Sequence, residues 1–188
     1  MSSIVVSGDT SGAITIAAAA VAGTNTLTLP ANTGTILTTA SGSQSVPRAA
    51  MPAGSILQVL SATDSTERST TSTSFVTASN TLSVAITPTT SSSKILIMVN
   101  TGLFKATAGS GFLTIYKNST NLGGTGGMAQ FQQAFYSSAC ITYLDSPATT
   151  SSTTYQLYFK SSDANPAYIN SNNGGGLVCS ITVMEVAA

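Results

Sequence analysis

Apolar and polar residues alternate most clearly near the end of the chain, where Thr154 to Val186 holds two such runs. In the first, Tyr155, Leu157 and Phe159 share one side, and Gln156, Tyr158 and Lys160 share the other. In the second, Val178, Ser180, Thr182 and Met184 alternate with Leu177, Cys179, Ile181, Val183 and Glu185. Period two is a strand signature, because successive side chains point to opposite faces of a sheet. The intervening SDANPAY and NSNNGGG are turn chemistry: Asn and Gly accept positive φ, and Pro166 pre-sets a bend. The pattern predicts a closing pair of strands at the centre of a β-sandwich. Ile181 and Val183 lie on its core face, as candidate core or subunit-interface residues.

Upstream, residues 55–188 read as one domain of eight to ten short strands separated by Gly, Pro and Ser turns, an antiparallel sandwich. SILQVLS is its first strand, and SATDSTERSTTST reads as a polar loop. SFVTAS and TLSVAIT flank Asn80 as in a hairpin reversal. KILIMVNTGLFKA is apolar at nearly every position, as expected of a central strand covered on both faces. GFLTIYKN alternates. MAQFQQAFYSSACITYLDS reads as a long strand or a pair broken near Ser137 and Ser138, with MAQFQQAF the one stretch where a helix competes.

The beginning is thinner. IVVS, AITIAAAAV, TLTL and TILTT are strand-like runs between Gly-closed turns, and they make residues 1–39 a short β arm. Candidate packing residues are Ile14, Ile16, Leu27 and Leu29. A fully buried large apolar side chain contributes roughly 1.5–3 kcal/mol, so these few do not offset the ordering entropy of the whole arm. The arm is therefore expected to pack against copies of itself or another surface. Residues 40–54, rich in Ser and Gly with two prolines, read as a linker.

Composition narrows the function. Charged residues make up 6% of the chain, against roughly 25% in typical soluble domains, and six basic residues balance six acidic ones. A nucleic-acid binder needs a basic face, so nucleic acid is not an expected partner. Zero net charge also removes the repulsion that keeps monomers apart, which suits a fixed assembly. No apolar run approaches the ~20 residues of a membrane span, so membrane insertion is not expected. The Ala-rich window Ala13 to Gly23 lacks a basic region before it and is a poor signal peptide. Cys140 and Cys179 both fall in alternating apolar runs and read as two buried free thiols, with a disulfide between adjacent strands the alternative.

Catalytic chemistry is sparse. There is no His, the commonest general base. Lys94, Lys105, Lys117 and Lys160 sit at strand ends or edges and read as solvated. Asp64 and Glu67 on a polar loop, with Asp145 and Asp163 on separate turns, read as solvated loop charges. NLGGTGG lacks the Lys-Ser and helix of a phosphate loop. Two cysteines without His do not make a metal site, and no cofactor is expected. The sequence thus points to no enzyme. Loops could still bind a ligand through Asn118, Asn121, Tyr136, Asn165 and Tyr168, with Tyr116 near a loop end. These tyrosines equally suit a core or a subunit interface.

GDTSGAITIAAAAVAGTNTLTLPANTGTILTTAS resembles the short β-repeat of bacteriophage tail-fibre proteins, notably marine and cyanobacterial ones. LDSPATTSSTTYQLYFKSSD, with YIN and the closing SITVMEV, is similar to the C-terminal jelly-roll domains of phage tail-fibre and related virion proteins, distantly like the trimeric C1q and tumour-necrosis-factor type. The resemblance implies a homotrimer whose final strand, ending in acidic Glu185, packs near a three-fold axis. It implies a virion protein whose jelly roll contacts the host surface, with other virion proteins and a host surface glycan as partners. A capsid decoration protein clamping the head is the alternative expectation, and a virion-bound polysaccharide hydrolase the third.

Overall fold

In the computed structural model, residues 3–7, 13–17, 51–132, 136–172 and 175–188 are described. The chain divides into two units, Met1–Gln44 and Ser45–Ala188. In the first, β1 (Ser3–Ser7) and β2 (Ala13–Ala17) form an antiparallel pair with Ile4 opposite Ile16 and Val6 opposite Ile14. Ile14 and Ile16 are thus in one strand, whereas Leu27 and Leu29 lie outside the described residues.

The second unit is all-β and antiparallel, and no helix occurs among its described residues. Its strands are β3 (Ile56–Asp64), β4 (Arg68–Thr70), β5 (Val76–Thr77), β6 (Ser83–Ile86), β7 (Lys94–Lys105), β8 (Ser110–Lys117) and β9 (Thr120–Asn121). They continue with β10 (Ala129–Gln132), β11 (Ser137–Asp145), β12 (Thr153–Ser161), β13 (Ala167–Ile169), β14 (Ser171–Asn172), β15 (Gly175–Gly176) and β16 (Cys179–Val186). β14 and β15 form a small pair of their own.

The first large sheet is organised on β7. Val99 is opposite Ile141 on one edge and Ile181 on the other, so β11 and β16 flank it. β16 continues to β3, and β13 takes over from β16 along the last residues of β7, leading to β4. The second sheet is organised on β8 and β12. β10 and β9 lie along the outer edge of β8, and β6 and β5 along the far edge of β12.

Alternation decides what each strand buries. Ile95, Ile97 and Val99 of β7 and Ile181 and Val183 of β16 point inward from the first sheet. Leu113 and Ile115 of β8 and Tyr155, Leu157 and Phe159 of β12 meet them from the second. All are at most 2% exposed, so the two sheets enclose one core. Glycine is required at position 111, where a Cβ would collide with the Phe131 ring that crosses it from β10.

Several expectations are corrected here. The two closing runs do not pair: β12 and β16 belong to opposite sheets and face each other across the core. β5 and β6 form no hairpin around Asn80 but run along the same edge of β12. Ala129–Gln132, where a helix competed, is a strand, because pairing with β8 buries Phe131 over Gly111. β7 is covered on both faces only near its end: Leu96 and Met98 are half-buried and Asn100 exposed on the outer side. Cys140 is exposed, since its parity on edge strand β11 turns it outward, while Cys179 is buried.

Candidate functional site

Inward alternation leaves outward positions as the places where function can sit, and the two sheets present different chemistry there. On the first sheet, Val59, Met184, Leu96 and Leu144 stand side by side across four strands. Val59 is 53% exposed and Leu144 50%, with Met184 and Leu96 half-buried. The next row is Ser61, Thr182, Met98 and Thr142, and the one beyond it Thr63, Ser180, Asn100 and Cys140. At the end of that last row, a groove of about 210 Å³ is lined by Asn100, Cys140, Leu177 and Val178 among others. Val178 is 68% exposed.

On the second sheet, the outward row Ser83, Gln156, Tyr116 and Asn121 is followed by Thr77, Tyr158 and Thr114, then Lys160, Phe112 and Gln130. Tyr116 and Tyr158 stack at 3.9 Å between ring centroids. Lys160 Nζ stands 4.7 Å from the Phe75 centroid and 5.1 Å from that of Phe112, and donates to the Thr125 carbonyl at 2.8 Å. A cleft of about 410 Å³ opens between segment 73–75 and the turn after β9, with Lys160 in its wall.

The residues nominated as binding loops separate into two places. Asn118 takes positive φ (51°) in the turn after β8, and its Oδ1 accepts the Thr154 amide at 2.9 Å. Asn121 Oδ1 accepts the Thr114 hydroxyl and the Gly123 amide, while its Nδ2 donates to the Gly124 carbonyl, so it shapes the turn bordering the cleft. Tyr136 stacks on Phe104 at 4.3 Å, and Tyr168 tilts against the same ring at 5.8 Å. Asn165 lies beside that cluster, its carbonyl accepting from Lys105 Nζ and its amide groups donating to Asp163. Ile181 and Val183 are fully buried, and Thr182 is half-buried on the outer face.

Four charges read as solvated are not. Asp64, 9% exposed, ends β3 and accepts from Ser79 Oγ at 2.6 Å, the Thr66 amide at 2.9 Å and Arg68 Nη2 at 3.2 Å. The Ser79 hydroxyl foremost, with the Thr66 amide, outweighs burial and holds its carboxyl well below the usual carboxylate range. Asp145, 7% exposed, accepts from the Tyr155 hydroxyl at 2.6 Å and from Lys117. Burial first, and then that carboxylate, push the Tyr155 hydroxyl far up. Lys105 is fully buried with Nζ 2.9 Å from Asp163 Oδ1, which depresses the Asp163 carboxyl. Lys117 is paired with Asp145 at 3.1 Å. The Lys105–Asp163 and Lys117–Asp145 pairs join residues far apart in sequence, whereas Asp64 also draws on Thr66 and Arg68 close by and is buried only once Ser79 folds over it.

Glu185 is buried within its own subunit. Its carboxylate accepts the Thr89 amide at 2.6 Å, the Thr89 hydroxyl at 3.0 Å and Gln58 Nε2 at 2.6 Å. Burial alone would raise its pKa, but bonds from Ser93, Thr89 and Gln58 more than offset this and hold it low. It fastens the end of β16 to β3 and to the turn before β7. Burial foremost pushes the Cys179 thiol up to about 11, which leaves it a packing residue. No group of three metal-ligating side chains occurs among the described residues. Comparison with known protein families and with curated proteins finds no match.

Proposed function

We propose that this protein is a structural virion component, a short bacteriophage tail fibre. In this reading three copies assemble through the outer face of β3, β16, β7 and β11, and the C-terminal domain contacts the host surface. The carrying observation is the aliphatic row Val59, Met184, Leu96 and Leu144, which a lone subunit leaves in water. A second copy suits it because the face carries few charges; in the strands bearing these rows only Lys94 is both charged and outward. Completing the burial of each side chain supplies on the order of 1 kcal/mol, against an association cost of about 4–15 kcal/mol. The row alone is therefore insufficient, and the hydroxyl rows beside it must also be covered.

The strand order supports a jelly roll. The first, last, central and edge strands β3, β16, β7 and β11 form one sheet, and β6, β12, β8 and β10 the other. The chain thus switches sheets at most connections, as in two interlocked Greek keys. The role is architectural and recognitive, with no catalytic step. Immunogold labelling of virions tests it: label at the tail is expected. Label spread over the head overturns the fibre assignment in favour of a decoration protein, and virions without label overturn the virion role.

A further inference from the structure

Among the described residues, Arg68, Lys105 and Lys117 each hold a carboxylate, at 3.2, 2.9 and 3.1 Å. Lys160 holds none: its neighbours are the Phe75 and Phe112 rings and the Thr125 carbonyl. An ammonium has three N–H donors, and rings stabilise its charge without neutralising it. The cation is therefore positioned but uncompensated. It sits in the wall of the cleft that Thr73, Ser74, Phe75, Asn121 and Thr125 also line. Thr73, Ser74 and Thr125 are exposed hydroxyl residues, Phe75 offers an apolar ring, and no acidic side chain lines the cleft.

We propose that this cleft binds a carboxylate-bearing sugar residue, such as a uronic acid unit of an acidic polysaccharide. The sugar carboxylate pairs with Lys160 Nζ, the C–H face of the pyranose lies against Phe75, and its hydroxyls meet Thr73, Ser74 and Thr125. A neutral sugar leaves the charge unanswered. A nucleic acid carries a phosphate at every nucleotide and needs a row of cations, whereas this cleft offers one and the chain has zero net charge. The inference deepens the host-contact part of the fibre reading, and it is tested on the isolated full chain, so its failure leaves assembly and virion location standing.

The experiment is saturation-transfer NMR with trigalacturonic acid and, as the neutral counterpart, maltotriose. The acidic trisaccharide is expected to bind about five- to tenfold more tightly, with the difference shrinking as salt is raised. Lys160→Met removes the preference, Lys160→Arg keeps it, and Phe75→Ala weakens both ligands, with melting curves showing that each variant is folded. Equal affinity for the two trisaccharides, no binding of trigalacturonic acid at millimolar concentration, or an unchanged preference in folded Lys160→Met overturns the proposal. In those cases Lys160 serves only to hold the turn through Thr125.

Discussion

The two outer faces of the sandwich sit on strands that follow the same alternation, yet they differ in what they expose. Across the first sheet one row is apolar: Val59, Met184, Leu96, Leu144. Across the second the corresponding rows hold stacked Tyr116 and Tyr158, the amides of Gln156 and Gln130, and Lys160 between two phenylalanines. Aliphatic side chains gain only by leaving water, so that face suits permanent cover. Rings edged by amides and a cation offer direction as well as area, which suits a ligand that comes and goes. In the proposed reading, one core carries an assembly face on the first sheet and a recognition face on the second.

The comparison breaks most completely if the core beneath both faces is lost. Ile181 is fully buried between the sheets, and Ile181→Asp must bury an unpaired carboxylate or neutralise it. A loss of several kcal/mol is expected, read as unfolding by circular dichroism. Thr182→Asp, half-buried on the outer face, is expected to spare the fold and weaken assembly, read by sedimentation. Equal tolerance of both would place β16 at a solvated edge.

The buried carboxylates set the next effect. Asp64 and Glu185 have folded pKa values held below their unfolded ones. Such groups contribute stability that is present above the unfolded pKa and lost as pH falls through the folded value. Melting temperature should therefore fall from about pH 5 downward. Glu185→Gln should cost about 1–3 kcal/mol at neutral pH, because the amide turns a donor toward donors, and should flatten part of the acid slope. A slope unchanged in that variant would remove Glu185 from the account.

Much of this architecture was readable from alternation. Tyr155, Leu157 and Phe159 read as one face and are one face, fully or nearly buried. Period two tells which side chains share a side but not which sheet a strand joins, so it does not separate β12 from β16. The aliphatic row was invisible because its four members come from four segments brought into register only by pairing. The cleft is half visible in the sequence: Asn121 stands out as a loop residue, but Phe75 and Lys160 are joined only by a contact across the sheet edge. Lys105 and Asp64 looked solvated because Asp163 and Ser79 lie far along the chain.

A smaller effect separates assembly from folding. Leu96→Asp places a charge at the middle of the aliphatic row while leaving Ile95 and Ile97 inward. Subunit dissociation should rise by at least about tenfold with little change in the unfolding of the separated subunit. Sedimentation at micromolar concentration reads the first quantity and denaturant unfolding of the dilute protein the second. An unmodified chain that sediments as a monomer would remove the assembly face altogether.

The smallest effect lies on the opposite face. Tyr158→Ala removes the ring stacked on Tyr116 at 3.9 Å, and an aromatic pair contributes about 0.5–1.5 kcal/mol beyond its buried area. Tyr158 points outward and lies opposite Thr77 and Thr114, so its removal opens no cavity in the core. Stability should fall by about 1 kcal/mol and subunit number should not change, because none of the aliphatic row is touched. A Tyr158→Ala protein that changes its sedimentation as Leu96→Asp does would show that the second sheet, too, is covered by a copy, and that the division between an assembly face and a recognition face is drawn in the wrong place.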